Sequence, residues 1–220
     1  MFDSVSVIGA TGRSGSAICA RLRECGVRLL EHDGELIVVC VPDRAIAEVA
    51  QRIEPGPWIC HVSGATRLAA LDPHERRFSV HPLQTLVSWR GPDQLDGAFG
   101  AVTAETDEAR ERGVWLARTL GLEPFDLADE GRVLYHAGAM FASGYLVTLH
   151  RAAEALLELA GAPPEALLPL MRRTIDNGFE LTGPISRGDW STMDAHLAAI
   201  RERRPKLEPL YLALAEATTP

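Results

Sequence analysis

The chain has 220 residues, 46% of them hydrophobic and 24% charged, with 22 Lys and Arg against 30 Asp and Glu for a net charge of −8. This is the composition of a folded globular protein, long enough to bury a core as one domain or two small ones. The acidic balance argues against nucleic acid and anionic membranes as partners.

Met1-Phe2-Asp3 runs directly into an apolar stretch, so no leader peptide is expected. The cysteines at 19, 25, 40 and 60 show no C-x-x-C spacing and read as reduced structural thiols of a cytoplasmic protein.

A buried strand is predicted over 4–8, followed by the turn Gly9-Ala10-Thr11-Gly12-Arg13-Ser14-Gly15 and an amphipathic helix from Ser16. Strand, glycine-rich turn and helix in that order form a phosphate grip. The glycines let the backbone come close, and the helix N-terminus supplies N–H groups and partial positive charge. The spacing is G-x-x-G-x-x-G, one residue longer than the dinucleotide fingerprint. A second parallel strand ending in a ribose-binding acid, and a crossover helix, should then follow. Residues 27–30 could be that strand, with Glu31 or Asp33 as the acid, but a buried strand over 35–41 begins after only His32-Asp33-Gly34. Adjacent parallel strands need a crossover of about a dozen residues. The segment 27–30 is therefore expected either to pair antiparallel through the His-Asp-Gly turn or to be a plain connection, with the adenosine half of the site truncated.

Further along, Pro42-Asp43 opens a helix over 44–53, and strands are expected over 58–62, 77–80 and 98–103. A helix over 106–120 stops at Gly121, and 123–127 is a short edge strand because of Pro124. The alternation predicts an α/β fold with a mostly parallel, doubly wound sheet. From Asp129 the pattern is helical, with segments over 132–160, 165–181, 192–204 and 207–217. The stretch 133–149 holds no acidic or basic residue except histidine, yet it falls short of a membrane span and is expected to be a central buried helix. The predicted domains are 1–128 and 129–220.

Ligands of open parallel sheets bind beyond the carboxyl ends of the strands. Those ends are 9–15, Val41-Pro42-Asp43, Ser63-Gly64 and His81-Pro82-Leu83-Gln84, small or turn-forming residues with one imidazole, and together they suggest a ligand crevice. In the helical half, Tyr135-His136 opens the uncharged helix, and Arg187, Asp189 and His196 lie in or after a turn-rich segment. Arg187 could clamp an anionic group. Asp189 could pair with Arg187 or cap the next helix. His136 is either a satisfied core histidine or, if it faces the crevice, a general acid or base. The single lysine, Lys206, sits at a charged end, and no metal-binding or serine-hydrolase motif is present.

Tyr135-His136-Ala137, Ala142-Ser143-x-Tyr145-Leu146, the run Thr182-Gly183-Pro184-Ile185-x-Arg187-Gly188-Asp189 and His196 resemble a bacterial family of Rossmann-like oxidoreductases that carries a conserved C-terminal domain of unknown function. Val41-Pro42-Asp43, Ser63-Gly64 and His81-Pro82-Leu83-Gln84 fit in order, so the resemblance covers nearly the whole chain. The plan is similar to 6-phosphogluconate dehydrogenase-like and ketopantoate reductase-like proteins. The resemblance implies a truncated Rossmann-like domain binding NAD or NADP and a helical C-terminal domain that dimerises. It also implies a small-molecule substrate between the domains. Gly144 stands where family members usually carry an asparagine. If the chain is active, His136 or His81 is the expected proton donor to a small carbonyl or hydroxy compound, with Arg187 orienting an anionic group. The alternative is a non-redox binding protein for a small molecule or nucleotide fragment.

Overall fold

A computed structural model describes residues 1–219 and divides the chain into two compact units, Met1–Ser143 and Gly144–Pro220. The first unit is built on β1 (Ser4–Ile8), β2 (Arg28–Leu30), β3 (Leu36–Val39), β4 (Trp58–His61), β5 (Arg77–Pro82), β6 (Phe99–Ala104) and β7 (Glu123–Asp126). They form one sheet in the order β2-β1-β3-β4-β5-β6-β7, parallel except where β5 meets β6. The α/β, mostly parallel expectation holds, and β7 takes the edge position that Pro124 requires.

Alternate strand residues face two apolar layers. Val5, Leu36, Val38, Phe78 and Val102 pack with Ile18 and Leu22 of α1 (Arg13–Glu24) and Leu116 of α3 (Asp107–Thr119). Ile37, Val39 and Ile59 pack on the other side with Ile46 and Ala50 of α2 (Ile46–Ala50), and with Leu68 and Leu71. β3 and β4 are buried at every position, as a sheet covered on both faces demands. Thr106 caps α3 by accepting the Ala109 N–H at 3.2 Å.

Several expectations need correction. The first helix begins at Arg13, inside the glycine run, and not at Ser16. The segment 27–30 is neither antiparallel nor a plain connection: β2 pairs parallel with β1, Ser6 opposite Leu30, while β3 pairs parallel with the other side of β1. The crossover rule is not broken, because β2 and β3 are not neighbours. β2 ends opposite Ser6 and β3 starts opposite Val5, so the connection needs little return along the strand. It has only to pass over β1, roughly 10 Å from one flanking strand to the other, well within reach of residues 31–35. It is held there by Gly34 N–H donating to Ser6 Oγ at 3.0 Å and Glu35 N–H donating to Ser4 Oγ at 3.2 Å. The helix expected over 44–53 is a 3-10 turn over Asp43–Ala45 followed by the short α2.

The helix expected over 132–160 is two: α4 (Arg132–Ala142) and α5 (Gly144–Leu159). Ser143 leaves helical geometry at φ −128°, ψ −75°, its hydroxyl donates back to Ala139 O at 2.6 Å, and Gly144 follows. Serine back-bonding and glycine together weaken the helix at that point. The first unit thus continues past Ala128 to include α4, which the sequence reading grouped with the helical part. The second unit is all-helical, with α5, α6 (Leu167–Asp176), α7 (Trp190–Arg203) and α8 (Glu208–Thr218). Among the described residues no helix is long and apolar enough to cross a membrane.

Candidate functional site

The glycine turn owes its shape to close backbone approach. Gly9 sits at φ +86°, and a Cβ there would lie 2.3 Å from Cys40 O. A Cβ on Gly15 would lie 2.1 Å from Gly9 O, so the start of α1 presses directly on the end of β1. Gly12 closes the turn by donating its N–H to Gly9 O at 3.0 Å. Gly12 is also the helix N-cap and has no side chain to offer the first-turn N–H groups, and no acidic residue stands in that turn. These N–H groups have no acceptor inside the helix, and Arg13 adds a full positive charge. Ala10, Thr11, Gly12 and Arg13 are exposed, leaving the turn open to an anion.

The neighbouring strand ends lie on the same rim. Val41-Pro42-Asp43 follows β3, with Asp43 exposed at the start of the 3-10 turn. Ser63 follows β4 and folds its own turn, its Oγ accepting the N–H groups of Ala65 at 3.2 Å and Thr66 at 3.0 Å. His81-Pro82 ends β5. A cavity of about 390 Å³ joins the glycine turn to β5, lined by Arg13 and Ser14 on one side and Val62, His81, Gln84 and Thr85 on the other. Half-buried His81 therefore shares one open pocket with the N-terminus of α1.

α4 packs against the residues that form this site. Arg132 is fully buried and has no carboxylate in hydrogen-bond contact. Its guanidinium donates to Ser79 Oγ and Thr103 Oγ1, both at 2.7 Å, and to Ser63 O. Three otherwise buried polar groups on β5, β6 and the Ser63 turn are satisfied by one cation, so α4 is fixed in register against the sheet. Burial pulls the Arg132 pKa down, with Asp129 pushing it back up.

One helical turn on, Tyr135 OH lies 2.7 Å from His81 Nδ1, the two rings edge to face at 5.5 Å between centroids. His136 stands beside them at 6.2 Å from His81. Gly64 closes the remaining side: a Cβ there would lie 2.7 Å from His136 Cδ2 and 2.9 Å from His81 Nε2. Burial first, then the charges of His136 and Arg132, lowers His81 from 6.5 to about 4. His61, fully buried on β4, accepts the Ser63 N–H at Nδ1 and leaves Nε2 without a partner among the described residues. Burial and Arg132 lower it to about 3.

The structure thus brings the glycine turn and His81 to one pocket, and His136 and Ser63-Gly64 against His81. Arg187 and Asp189 belong to the other unit, where both serve their own turn. Arg187 donates to Thr182 O at 2.6 Å, and Asp189 caps α7 by accepting from Thr192 N at 3.2 Å, which decides the capping alternative left open by the sequence. Arg132 and His61 escaped the sequence reading. Their signal was indirect: Ser79 and Thr103 are hydroxyls inside otherwise apolar strands, and such groups need a buried partner.

Comparison with solved structures gives the same fold. A Bacteroides fragilis protein described provisionally as an NADP oxidoreductase superposes with a TM-score of 0.83 at 22% identity, over 98% of this chain and 97% of that one. A protein of Thermotoga maritima gives 0.76 at 22% identity, over 97% and 96%. The NADH-preferring ketol-acid reductoisomerase of an uncultured archaeon gives 0.65 at 16% identity, over 97% and 82%. No curated protein matches the sequence. Residues 98–218, more than half the chain, match the domain of unknown function DUF2520, and the protein belongs to that family, built on a Rossmann-like fold.

Proposed function

We propose that the chain is an NAD(P)-dependent oxidoreductase acting on a small carbonyl or hydroxy compound. The observation that carries this reading is the single pocket lined by both Arg13-Ser14 and His81. A dinucleotide needs an anion grip for its pyrophosphate and, within reach of it, a group that manages a proton. The fold neighbours described as NADP- and NADH-using enzymes support the same assignment.

The residues present fit the cofactor. The open N–H groups after Gly12 and the charge of Arg13 would hold the pyrophosphate, and the rim formed by Val41-Pro42-Asp43 and Ser63-Gly64 would flank it. When bound, the nicotinamide supplies or accepts a hydride. His81 is the group that holds the proton: it is neutral at pH 7, half-buried, and reaches the pocket, whereas His136 packs behind it against Gly64. In this reading residues 1–128 carry the dinucleotide site, α4 holds His81 in place through Tyr135, and the helical remainder serves self-association. The second unit buries Leu167, Met193 and Ile200 but exposes Tyr145, Leu146, Val147, Leu170, Phe179 and Trp190, an apolar surface suited to a second copy.

Titration of NADH and of NADPH against the protein by fluorescence tests the reading. Binding of either, abolished by Gly12→Val without loss of the fold, supports it, because a side chain at Gly12 points into the turn only 3.3 Å from Gly9 O. Failure of both to bind at millimolar concentration overturns it.

A further inference from the structure

We propose that Tyr135 is the positioning residue that sets the hydrogen on His81: its hydroxyl donates to Nδ1, so the neutral ring carries its hydrogen on Nε2 and presents a donor to the pocket. The substrate atom His81 serves is then an acceptor, a carbonyl oxygen undergoing reduction. This rests on the oxidoreductase reading and adds to it a proton source and the substrate form, a carbonyl, that the resting site is set to receive.

The 2.7 Å contact between Tyr135 OH and His81 Nδ1 can hold its hydrogen on either side. A phenol is far more acidic than the N–H of a neutral imidazole, so the phenol is the better donor. Burial pushes Tyr135 up to about 12, and the phenol keeps its hydrogen to donate. Contacts on two sides hold the ring. Arg132, three residues earlier on α4, is pinned by Ser79, Thr103 and Ser63, which fixes where Tyr135 reaches the sheet. On the opposite side lies Gly64, where an added Cβ would fall 2.9 Å from both Cε1 and Nε2. The titratable and charged groups facing His81 are Asp43 after β3, His61 on β4, and Arg132, Tyr135 and His136 on α4, with Arg13 across the pocket.

The proton balance closes. As charge develops on the carbonyl oxygen, the Nε2–H bond breaks and an O–H bond forms. The Tyr135 hydrogen passes to Nδ1, restoring a neutral ring. The phenolate left behind is stabilised by the nearby Arg132 charge, which favours that form. Nε2 then takes a proton from water and the Nδ1 hydrogen returns to the phenolate, which restores the starting tautomer. The electron pair that reduces the carbonyl carbon comes as hydride from the reduced nicotinamide.

The test is nitrogen NMR of the full chain labelled with ¹⁵N-histidine at pH 7, with His81 assigned by its loss in His81→Gln. The expected result is a bare, hydrogen-bond-accepting Nδ1 and a protonated Nε2. Tyr135→Phe should convert His81 to a mixture of both tautomers, because nothing then donates to Nδ1. A wild-type His81 with Nδ1 protonated and Nε2 bare overturns the proposal, as does a Tyr135→Phe spectrum in which His81 is unchanged. If the Phe variant does not fold, the wild-type tautomer still decides. NADH and NADPH are titrated into the same samples. Absence of binding overturns the oxidoreductase reading and the carbonyl with it, whereas a bare Nε2 with binding intact overturns only the donor assignment.

Discussion

Gly34 rests directly on the backbone of Ser6: its N–H donates to Ser6 Oγ at 3.0 Å, and a Cβ on Gly34 would lie 2.5 Å from Ser6 N and 2.8 Å from Val5 C. This contact lets the connection from β2 to β3 lie flat across β1. Overpacking at such a point costs about 1–3 kcal/mol. Gly34→Ala is therefore expected to lower the urea midpoint with little change in slope. An unchanged midpoint would show that the loop can lift off the strand freely.

The same contact marks where the sequence was legible and where it was not. Strands such as 58–62 and 77–80 announced themselves by apolar runs, and the glycine turn by its spacing between strand and helix. The pairing of β2 did not, because the decisive facts are its stagger against β1 and the crossing of the loop over a third strand. Neither is encoded in a local pattern. Ser4 and Ser6 did carry a trace of it: both are buried polar residues in an apolar strand, and both receive loop N–H groups. The break at Ser143 was masked for a similar reason. An uncharged run from 133 to 149 gives one continuous signal, and a serine hydroxyl bonding backwards does not alter it.

The three turn glycines should separate by their surroundings. Gly9→Ala and Gly15→Ala set a Cβ within 2.3 Å and 2.1 Å of a carbonyl oxygen, so both variants are expected to unfold at lower temperature by scanning calorimetry. Gly12→Val sets its Cβ 3.3 Å from Gly9 O, a far looser approach at an exposed position, and is expected to keep its melting temperature within a few degrees while losing dinucleotide binding.

Arg132→Met preserves length but strands the Ser79 hydroxyl and the Ser63 carbonyl in a buried environment, while the Thr103 hydroxyl keeps its bond to Leu127 O at 2.8 Å. Each unsatisfied group costs about 1–3 kcal/mol, offset in part by removal of a buried charge. Chemical denaturation should show a net loss of stability. Because the Arg132 charge lowers both His61 and His81, their NMR titration midpoints should rise in this variant. Midpoints that stay put would show that burial alone sets them.

Acid should weaken the protein in a defined window. His61 and His81 take up protons near 6.5 in the unfolded chain but only near 3 and 4 when folded. The unfolded state thus binds more protons below about pH 6.5, and stability present above that value falls as the pH drops. Each imidazole contributes up to about 1.4 kcal/mol per pH unit. The His81 share ends near pH 4, so His81→Gln should flatten the stability profile between pH 6.5 and 4 when measured by urea titration.

Sedimentation velocity at micromolar concentration is expected to give a dimer, since the second unit exposes large apolar side chains, among them Leu170, Phe179 and Trp190. Phe179→Glu combined with Leu170→Glu should yield monomer. A wild-type monomer would remove self-association from the functional reading.

The sheet terminates at β2, only three residues long and carrying an exposed arginine at its first position. A border that short offers a stray strand too few backbone groups to register with. That margin of the sheet therefore resists edge-to-edge pairing without a covering helix.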